Sequence, residues 1–167
     1  ALSPIVSNNS NFVKGAPGSP VLISWDDART LFHEFGHALH GLLSHCHYPS
    51  VSGTNTARDF VEFPSQINEH WFDTPEVLTR FALHHQTGKP LPQELVAKIK
   101  KAGTFNEGFH TMEYLASAVI DMKLHMAGGA TIDPTAFEKE ELGKLGMPEE
   151  IVMRHRIPQF GHIFSGG

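Results

Sequence analysis

The sequence predicts a mainly α protein with a small β element near its N-terminus, and three observations lead to that class. After residue 25, apolar residues recur with a period of about 3.6, which indicates amphipathic helices. Prolines, glycines and capping residues divide this part of the chain into segments of helical length. Two short β-branched runs bounded by turn residues lie within the first 25 residues, at Pro4-Ile5-Val6 and Val21-Leu22-Ile23.

The first two helices are predicted from apolar spacing. The first runs from about Asp26 to Ser44, because its apolar residues keep the helical period without a break. A loop is expected over residues 45–58, and a second helix follows it with four residues in register: Phe60, Phe63, Ile67 and Trp71. Pro64 interrupts that pattern, so the regular helix should begin near Val61 or carry a kink there.

The later helices are predicted from their caps. Thr74-Pro75-Glu76 should open a helix that Gly88 ends, and Pro92 should open the next, which Gly103 ends. Three more are expected: from about Asn106 to Ala127, from Asp133-Pro134 to about Gly146, and from Met147-Pro148-Glu149 onward. The prediction is therefore six or seven helices in a single domain over residues 1–167, with 1–25 extended and 26–167 helical.

Composition excludes several classes of protein. The net charge of -5 over 167 residues argues against a nucleic-acid partner, which usually requires a basic surface. The one cysteine, Cys46, cannot form an internal disulfide, so nothing demands an oxidising compartment. Apolar runs fall short of the roughly 18 residues that a membrane helix needs. We therefore expect a cytoplasmic protein without membrane or nucleic-acid partners.

The histidines, 12 in number, are unusually frequent, and two of them are organised. Residues 33–37 of the first predicted helix read H-E-x-x-H. Because positions i and i+4 are about 40° apart around a helix, His33 and His37 project the same way and can share a zinc ion. Glu34 lies about 100° round the helix, where it can accept a proton from water bound to the metal. The helix should have one packed face (Leu31, Phe35, Ala38 and Leu42) and an opposite histidine face (His33, His37 and His40).

A catalytic zinc ion usually has a third protein ligand, and the second predicted helix offers carboxylates. The loop before it is long enough to turn this helix back against the first. Geometry alone does not choose between Glu62, Glu69 and Asp59, and for any one of them taken singly an exposed acid on a solvated face is the better interpretation.

Four segments resemble the thimet oligopeptidase family of zinc metallopeptidases, and within it the bacterial peptidyl-dipeptidases. They are residues 33–40, 52–56, 59–71 and 157–167. The resemblance implies a zincin-like multi-helical catalytic core that holds one Zn²⁺ per chain. It implies His33, His37 and Glu62 as zinc ligands and Glu34 as the general base. It also makes His162 a candidate to hold the substrate or stabilise the transition state.

The family resemblance also implies a reaction, the hydrolysis of oligopeptides with release of C-terminal dipeptides. Asp59 and Gln66 flank Glu62 by about one turn and are candidates to orient a ligating imidazole. Two alternatives stay open: an endo-oligopeptidase of the same family, or a zinc-stabilised domain without chemistry.

The two ends of the chain predict that it is a piece of a larger enzyme. It begins at Ala1 and ends on an apolar stretch that runs up to Gly166-Gly167. In the resembled family, a tyrosine-rich segment that stabilises the oxyanion follows this position, and neither Tyr48 nor Tyr114 matches it. The expected partners are therefore a peptide substrate and the missing N-terminal and C-terminal portions, and residues 1–167 alone should hydrolyse peptides poorly.

Overall fold

The computed structural model describes residues 4–165 and is mainly helical, as predicted. Its seven α-helices are α1 (Trp25–Leu43), α2 (Arg58–Val61), α3 (Phe63–Phe72), α4 (Pro75–Phe81), α5 (Gln93–Ala102), α6 (Glu107–Met126) and α7 (Pro134–Lys144). Short 3-10 helices occupy Pro49–Val51 and Gly161–Ile163. The two ends of the chain, Ala1 and Gly166-Gly167, from which a piece of a larger enzyme was predicted, lie outside the described residues.

The chain divides into two compact units, Ala1–Val96 and Ala97–Gly167. The prediction that residues 1–167 form a single domain stays a prediction.

In the first unit, α1 begins at a capping box and packs along α3. The Ser24 hydroxyl accepts a hydrogen bond from the Asp27 N–H, and the Asp27 carboxylate accepts one from the Ser24 N–H. The two helices approach so closely at Gly36 that a Cβ atom there would lie 2.5 Å from Cα of Ser65. Asn68 of α3 also donates a hydrogen bond to the Phe32 carbonyl of α1, at 2.7 Å. Gly36 therefore allows α3 to lie directly against α1.

The second predicted helix is interrupted at Glu62, which ends α2 and precedes α3. Pro64 is in the first turn of α3, where its missing N–H costs nothing. In one continuous helix, the ring of Pro64 would clash with the Phe60 carbonyl. That carbonyl instead accepts a hydrogen bond from the Glu62 N–H. The expected kink is thus present, and it falls at Glu62.

The second unit has its core between α6, α7 and the segment after α7. Its buried apolar residues are Ala116, Ile120, Leu142, Met153 and Ile157. The Asp133 carboxylate caps α7 by accepting a hydrogen bond from the Ala136 N–H at 2.8 Å. Two acids of α7 are also buried, and each is paired with basic groups, as buried carboxylates require. They are Glu138 and Glu141.

Several predictions about secondary structure are wrong. The helix after Thr74 ends at Phe81, well before Gly88, and Gly88 has a φ of 67° in the turn that pairs Leu83 with Pro90. No α-helix follows Met147 in the part of the chain that the structure describes. Met153 and Ile157 instead belong to an irregular segment, and both are buried. A local proline signal therefore did not suffice to start a helix.

The small N-terminal β element is likewise not formed over residues 4–24. A strand needs a neighbour for its backbone groups, and the only β pairing among the described residues is the isolated bridge between Leu83 and Pro90. Ile5 and Val21 are accordingly exposed.

The prediction of a packed face on α1 is also wrong in part. Ala38 is buried, but Leu31, Phe35 and Leu42 are exposed to solvent. The physical reason is that α3 packs on the opposite side, around Gly36 and the histidines.

None of the described helices is both long enough and apolar enough to cross a membrane.

Candidate metal centre

His33 and His37 of α1 meet Glu62 at the junction of α2 and α3. The Nε2 atoms of both imidazoles lie 3.1 Å from the same carboxylate oxygen, Oε2 of Glu62. The three potential ligand atoms, one per residue, are within 4.8 Å of one another. The α1 backbone places the two histidines one turn apart, and the helix break at Glu62 places the carboxylate between them. Of the three acids that the sequence left open, Glu62 is the one brought to both imidazole Nε2 atoms.

The surroundings of Glu62 favour its charged form. The buried Ser65 hydroxyl donates a hydrogen bond to Oε2 of Glu62 at 2.8 Å and lies equally close to the Glu62 carbonyl. This hydrogen bond is the main cause that holds the pKa of Glu62 below its ordinary value, and the nearby imidazoles of His37 and His33 lower it further. Partial desolvation opposes them without reversing the direction. An ionised carboxylate at this point suits a cation.

A second acid of α3 contacts the other side of His33. Oε1 of Glu69 lies 2.6 Å from Nδ1 of His33, so His33 lies between two carboxylates. The sequence pattern suggested Asp59 and Gln66 for such a role. Both are exposed, and no hydrogen bond or ion pair joins either to the two imidazoles.

Glu34 is on α1 next to His33 and is partly buried. No hydrogen bond or ion pair engages its carboxylate among the described residues, so the group is available to a ligand. Its role as general base stays a prediction.

His162 belongs to the second unit, in the 3-10 helix Gly161–Ile163. Its Nδ1 lies 3.2 Å from the Ser165 carbonyl, and its ring contacts that of Phe160 with centroids 5.4 Å apart. His162 is exposed, and its predicted role in substrate binding is not tested by these contacts.

Two residues contribute to the site in ways that the sequence pattern did not predict, Ser65 and Glu69. Ser65 follows Glu62 by three residues, and a serine at that spacing can reach back to the earlier residue across one helical turn. The sequence pattern suggested Glu69 only as a possible metal ligand. Its position seven residues after Glu62, two turns along a helix, is the signal that it shares a face with Glu62.

Two imidazole nitrogens and one carboxylate oxygen are a donor set that zinc accepts, and this set is known at catalytic zinc centres. Two of the groups come from α1 and the third from the junction of α2 and α3, and α1 and α3 pack closely at Gly36. The residues therefore fit a zinc ion.

A predominantly helical unit with this site has the features of a metallopeptidase, and the comparisons agree. The model of peptidase family M3 matches residues 2–167, and the chain belongs to that family. It is 47% identical to the dipeptidyl carboxypeptidase of Escherichia coli over 98% of this chain and 24% of the relative. It is 36% identical to oligopeptidase A of Salmonella typhimurium, over 98% of this chain and 25% of the relative. Mitochondrial intermediate peptidase 2 of Cryptococcus neoformans is 34% identical over 98% of this chain and 20% of the relative.

The chain spans about a quarter of the length of the first two curated relatives, both dipeptidyl carboxypeptidases.

Proposed function

We propose that this chain is the zinc-binding core of a peptidase that hydrolyses oligopeptides, with His33, His37 and Glu62 as the metal ligands. The observation that carries the proposal is the convergence of both Nε2 atoms on one oxygen of Glu62, at 3.1 Å each. One zinc ion per chain is the expected content, and a zincin-like arrangement of the helices is part of the proposal. The free Cys46 suits a reducing, cytoplasmic location.

Zinc in such a site would supply Lewis acidity toward the peptide carbonyl and toward a water molecule. The chain's own groups would move the protons. Glu34, next to the ligand His33, takes a proton from the attacking water as the C–O bond forms. It then gives that proton to the leaving amine nitrogen as the C–N bond breaks. His162 is proposed to hold the substrate or to donate a hydrogen bond to the developing oxyanion.

Substrate preference is proposed from the relatives. The 47% identical relative is a dipeptidyl carboxypeptidase, which favours release of dipeptides from the C-terminus of an oligopeptide. Internal cleavage of oligopeptides is the second candidate, because an oligopeptidase A matches over the same share of the chain. Product analysis by mass spectrometry, with oligopeptides blocked at either end, separates the two. An enzyme of the first kind requires a free C-terminus and yields dipeptides.

The Glu34→Gln variant tests the catalytic proposal. In the full-length protein we expect it to lower kcat for peptide hydrolysis by at least about 100-fold, because general-base catalysis contributes about 10²–10⁴-fold. Zinc content by elemental analysis should stay at one per chain, because Glu34 is not a ligand. His33→Ala is the comparison and should lose both zinc and activity.

Unchanged hydrolysis in Glu34→Gln would contradict the role of Glu34. A wild-type protein that binds zinc but cleaves no oligopeptide would favour a zinc-stabilised domain without chemistry. Absence of zinc after supplementation would contradict the metal centre itself.

Residues 1–167 alone should bind zinc and hydrolyse peptides poorly. In the family that the sequence resembles, tyrosines that follow the position of Gly167 donate hydrogen bonds to the oxyanion. The loss of one such donor typically costs about 10²–10³ in rate. Assays of residues 1–167 and of the full-length protein on the same peptide check this, and equal kcat/KM values would overturn it.

A further inference from the structure

Glu69 contacts the proposed ligand His33 on the side away from Glu62. Its Oε1 lies 2.6 Å from Nδ1 of His33, while Nε2 of the same ring lies 3.1 Å from Oε2 of Glu62. The contact joins α3 to α1 across 36 positions of sequence. The side chains of His33 and Glu69 are both more than two-thirds buried. Burial strengthens a hydrogen bond of this kind relative to one in open water.

The two imidazoles differ in this respect. Nδ1 of His37 is buried and has no hydrogen-bond partner within residues 4–165. His33 is therefore the ring whose orientation the described chain controls from both ends. The contact at Nδ1 of His33 comes from Glu69, and not from Asp59 or Gln66, which the sequence suggested.

We propose that Glu69 is a positioning residue for the metal centre. A ligating imidazole must present an unprotonated Nε2 to the metal, so its proton must be on Nδ1. Glu69 accepts the Nδ1–H hydrogen bond, which selects that tautomer and fixes the ring plane. Its negative charge also makes Nε2 a stronger donor to a cation. Glu69 does not itself touch the metal in this role. The inference rests on the proposed function, because it requires His33 to be a ligand.

The packing of α3 on α1 gives Glu69 the required position. Asn68, the preceding residue, donates a hydrogen bond to the Phe32 carbonyl, one residue before His33. Gly36 allows the close approach of the two helices a turn further along. Two neighbouring contacts between α1 and α3 thus hold Glu69 and His33 together.

The test measures metal affinity, not turnover, on the full-length protein. Zn²⁺ dissociation constants are obtained by competition with a chromophoric chelator for wild type, Glu69→Gln and Glu69→Ala. Loss of such a supporting partner usually costs about 10–100-fold in affinity. We expect Glu69→Ala to fall within that range. Glu69→Gln should weaken binding less, because its amide oxygen can still accept the Nδ1–H bond but carries no charge.

Glu76→Gln is the matched control. It removes the same charge from the same unit, at an exposed position in α4, and should bind zinc as the wild type does. The absorption bands of the Co²⁺-substituted proteins provide a second readout. They should shift in Glu69→Gln, because the field at the metal depends on the orientation of His33. A merely structural role for Glu69 would leave those bands in place. Circular dichroism confirms that each variant is folded, and Glu69→Asp replaces Glu69→Ala if the latter unfolds.

The outcomes are distinguishable. Zinc binding by the wild type at one ion per chain, with the same affinity and the same Co²⁺ bands in both Glu69 variants, overturns the positioning role alone. Absence of zinc binding by the wild type overturns the metal centre, and the positioning role with it. Weaker binding and shifted bands in Glu69→Gln, with Glu76→Gln unchanged, support the proposal.

Discussion

At the scale of single residues, the charge state of Glu62 depends on Ser65. The Ser65 side chain is fully buried and its hydroxyl donates to the Glu62 carboxylate. Removal of a buried hydrogen bond usually costs about 1–2 kcal/mol. We therefore expect Ser65→Ala to lower the free energy of unfolding by about this amount and to weaken zinc binding. Urea unfolding and the zinc competition assay check both effects, with the exposed Ser50→Ala as control.

The effect of Ser65→Ala on the free energy of unfolding should also depend on pH. The pKa of Glu62 in the folded protein lies below its ordinary value of 4.5, so its interactions stabilise the fold above that pH. This contribution is lost as the pH falls through the depressed pKa. The difference in unfolding free energy between wild type and Ser65→Ala should therefore narrow below about pH 4.5. A constant difference from pH 7 to pH 3 would contradict the assigned cause of the shift.

The residue scale also shows what a single sequence can predict of a site. The relation of His33 to His37 follows from helical geometry alone, since both belong to one helix. The choice among Asp59, Glu62 and Glu69 did not follow, because it depends on where α2 ends and on how α3 lies against α1. These are contacts between elements, and no local pattern encodes them.

At the scale of elements, the approach of α1 to α3 depends on Gly36. A Cβ atom at this position would lie 2.5 Å from Cα of Ser65 and 2.8 Å from the Pro64 carbonyl oxygen, and neither backbone atom can move cheaply. Overpacking of this kind usually costs about 1–3 kcal/mol. We expect Gly36→Ala to destabilise the first unit by about that amount and to separate His33 and His37 from Glu62, with loss of zinc affinity.

Gly143→Ala is the matched control for that prediction. Gly143 is in α7, and a Cβ atom there would meet nothing within 4 Å. The substitution should be neutral or stabilising by up to about 1 kcal/mol, because alanine favours a helix. Thermal unfolding and zinc titration of both variants check the pair. Equal effects of the two substitutions would show that the close approach at Gly36 is unimportant.

Elements were predicted well where caps and periodicity agreed. The bounds of α1, α5, α6 and α7 lie within one or two residues of the expected ones. The helix expected after Met147 is absent because Met153 and Ile157 are buried without helical structure in the second unit's core. Tertiary packing outweighed the proline signal there.

At the scale of the whole molecule, the second unit should respond to pH through Glu141. The Glu141 carboxylate accepts hydrogen bonds from Lys123 and Lys144, and the bond from Lys123 is the main cause that lowers its pKa. Glu140 and Glu141 raise the pKa of Lys144 to about 12. The contribution of Glu141 to the stability of the second unit is present above pH 4.5 and is lost as the pH falls through the depressed pKa of Glu141. The contribution of Lys144 to that stability is present below pH 10.5 and is lost as the pH rises toward the raised pKa of about 12.

Glu141→Gln should therefore lower amide-exchange protection in α6 and α7 at neutral pH and make it less sensitive to acid. Exchange followed by mass spectrometry between about pH 3 and pH 7, corrected for intrinsic rates, measures this protection helix by helix, and the acid sensitivity is expected below pH 4.5. Glu149→Gln, an exposed acid of the same unit, is the control. Equal protection in Glu141→Gln and wild type at neutral pH would exclude the pairing as a stabilising feature.

By itself, the sequence determined the helical class, most helix ends and the pairing of His33 with His37. Each of these depends on interactions within a few residues along the chain, namely caps, proline and the helical period. Only the tertiary structure decided which acid meets both imidazoles, which acid contacts His33 from behind, and which face of α1 is covered. All three depend on the packing of α1 against α3. These two helices are distant in sequence, and Gly36 permits their close approach.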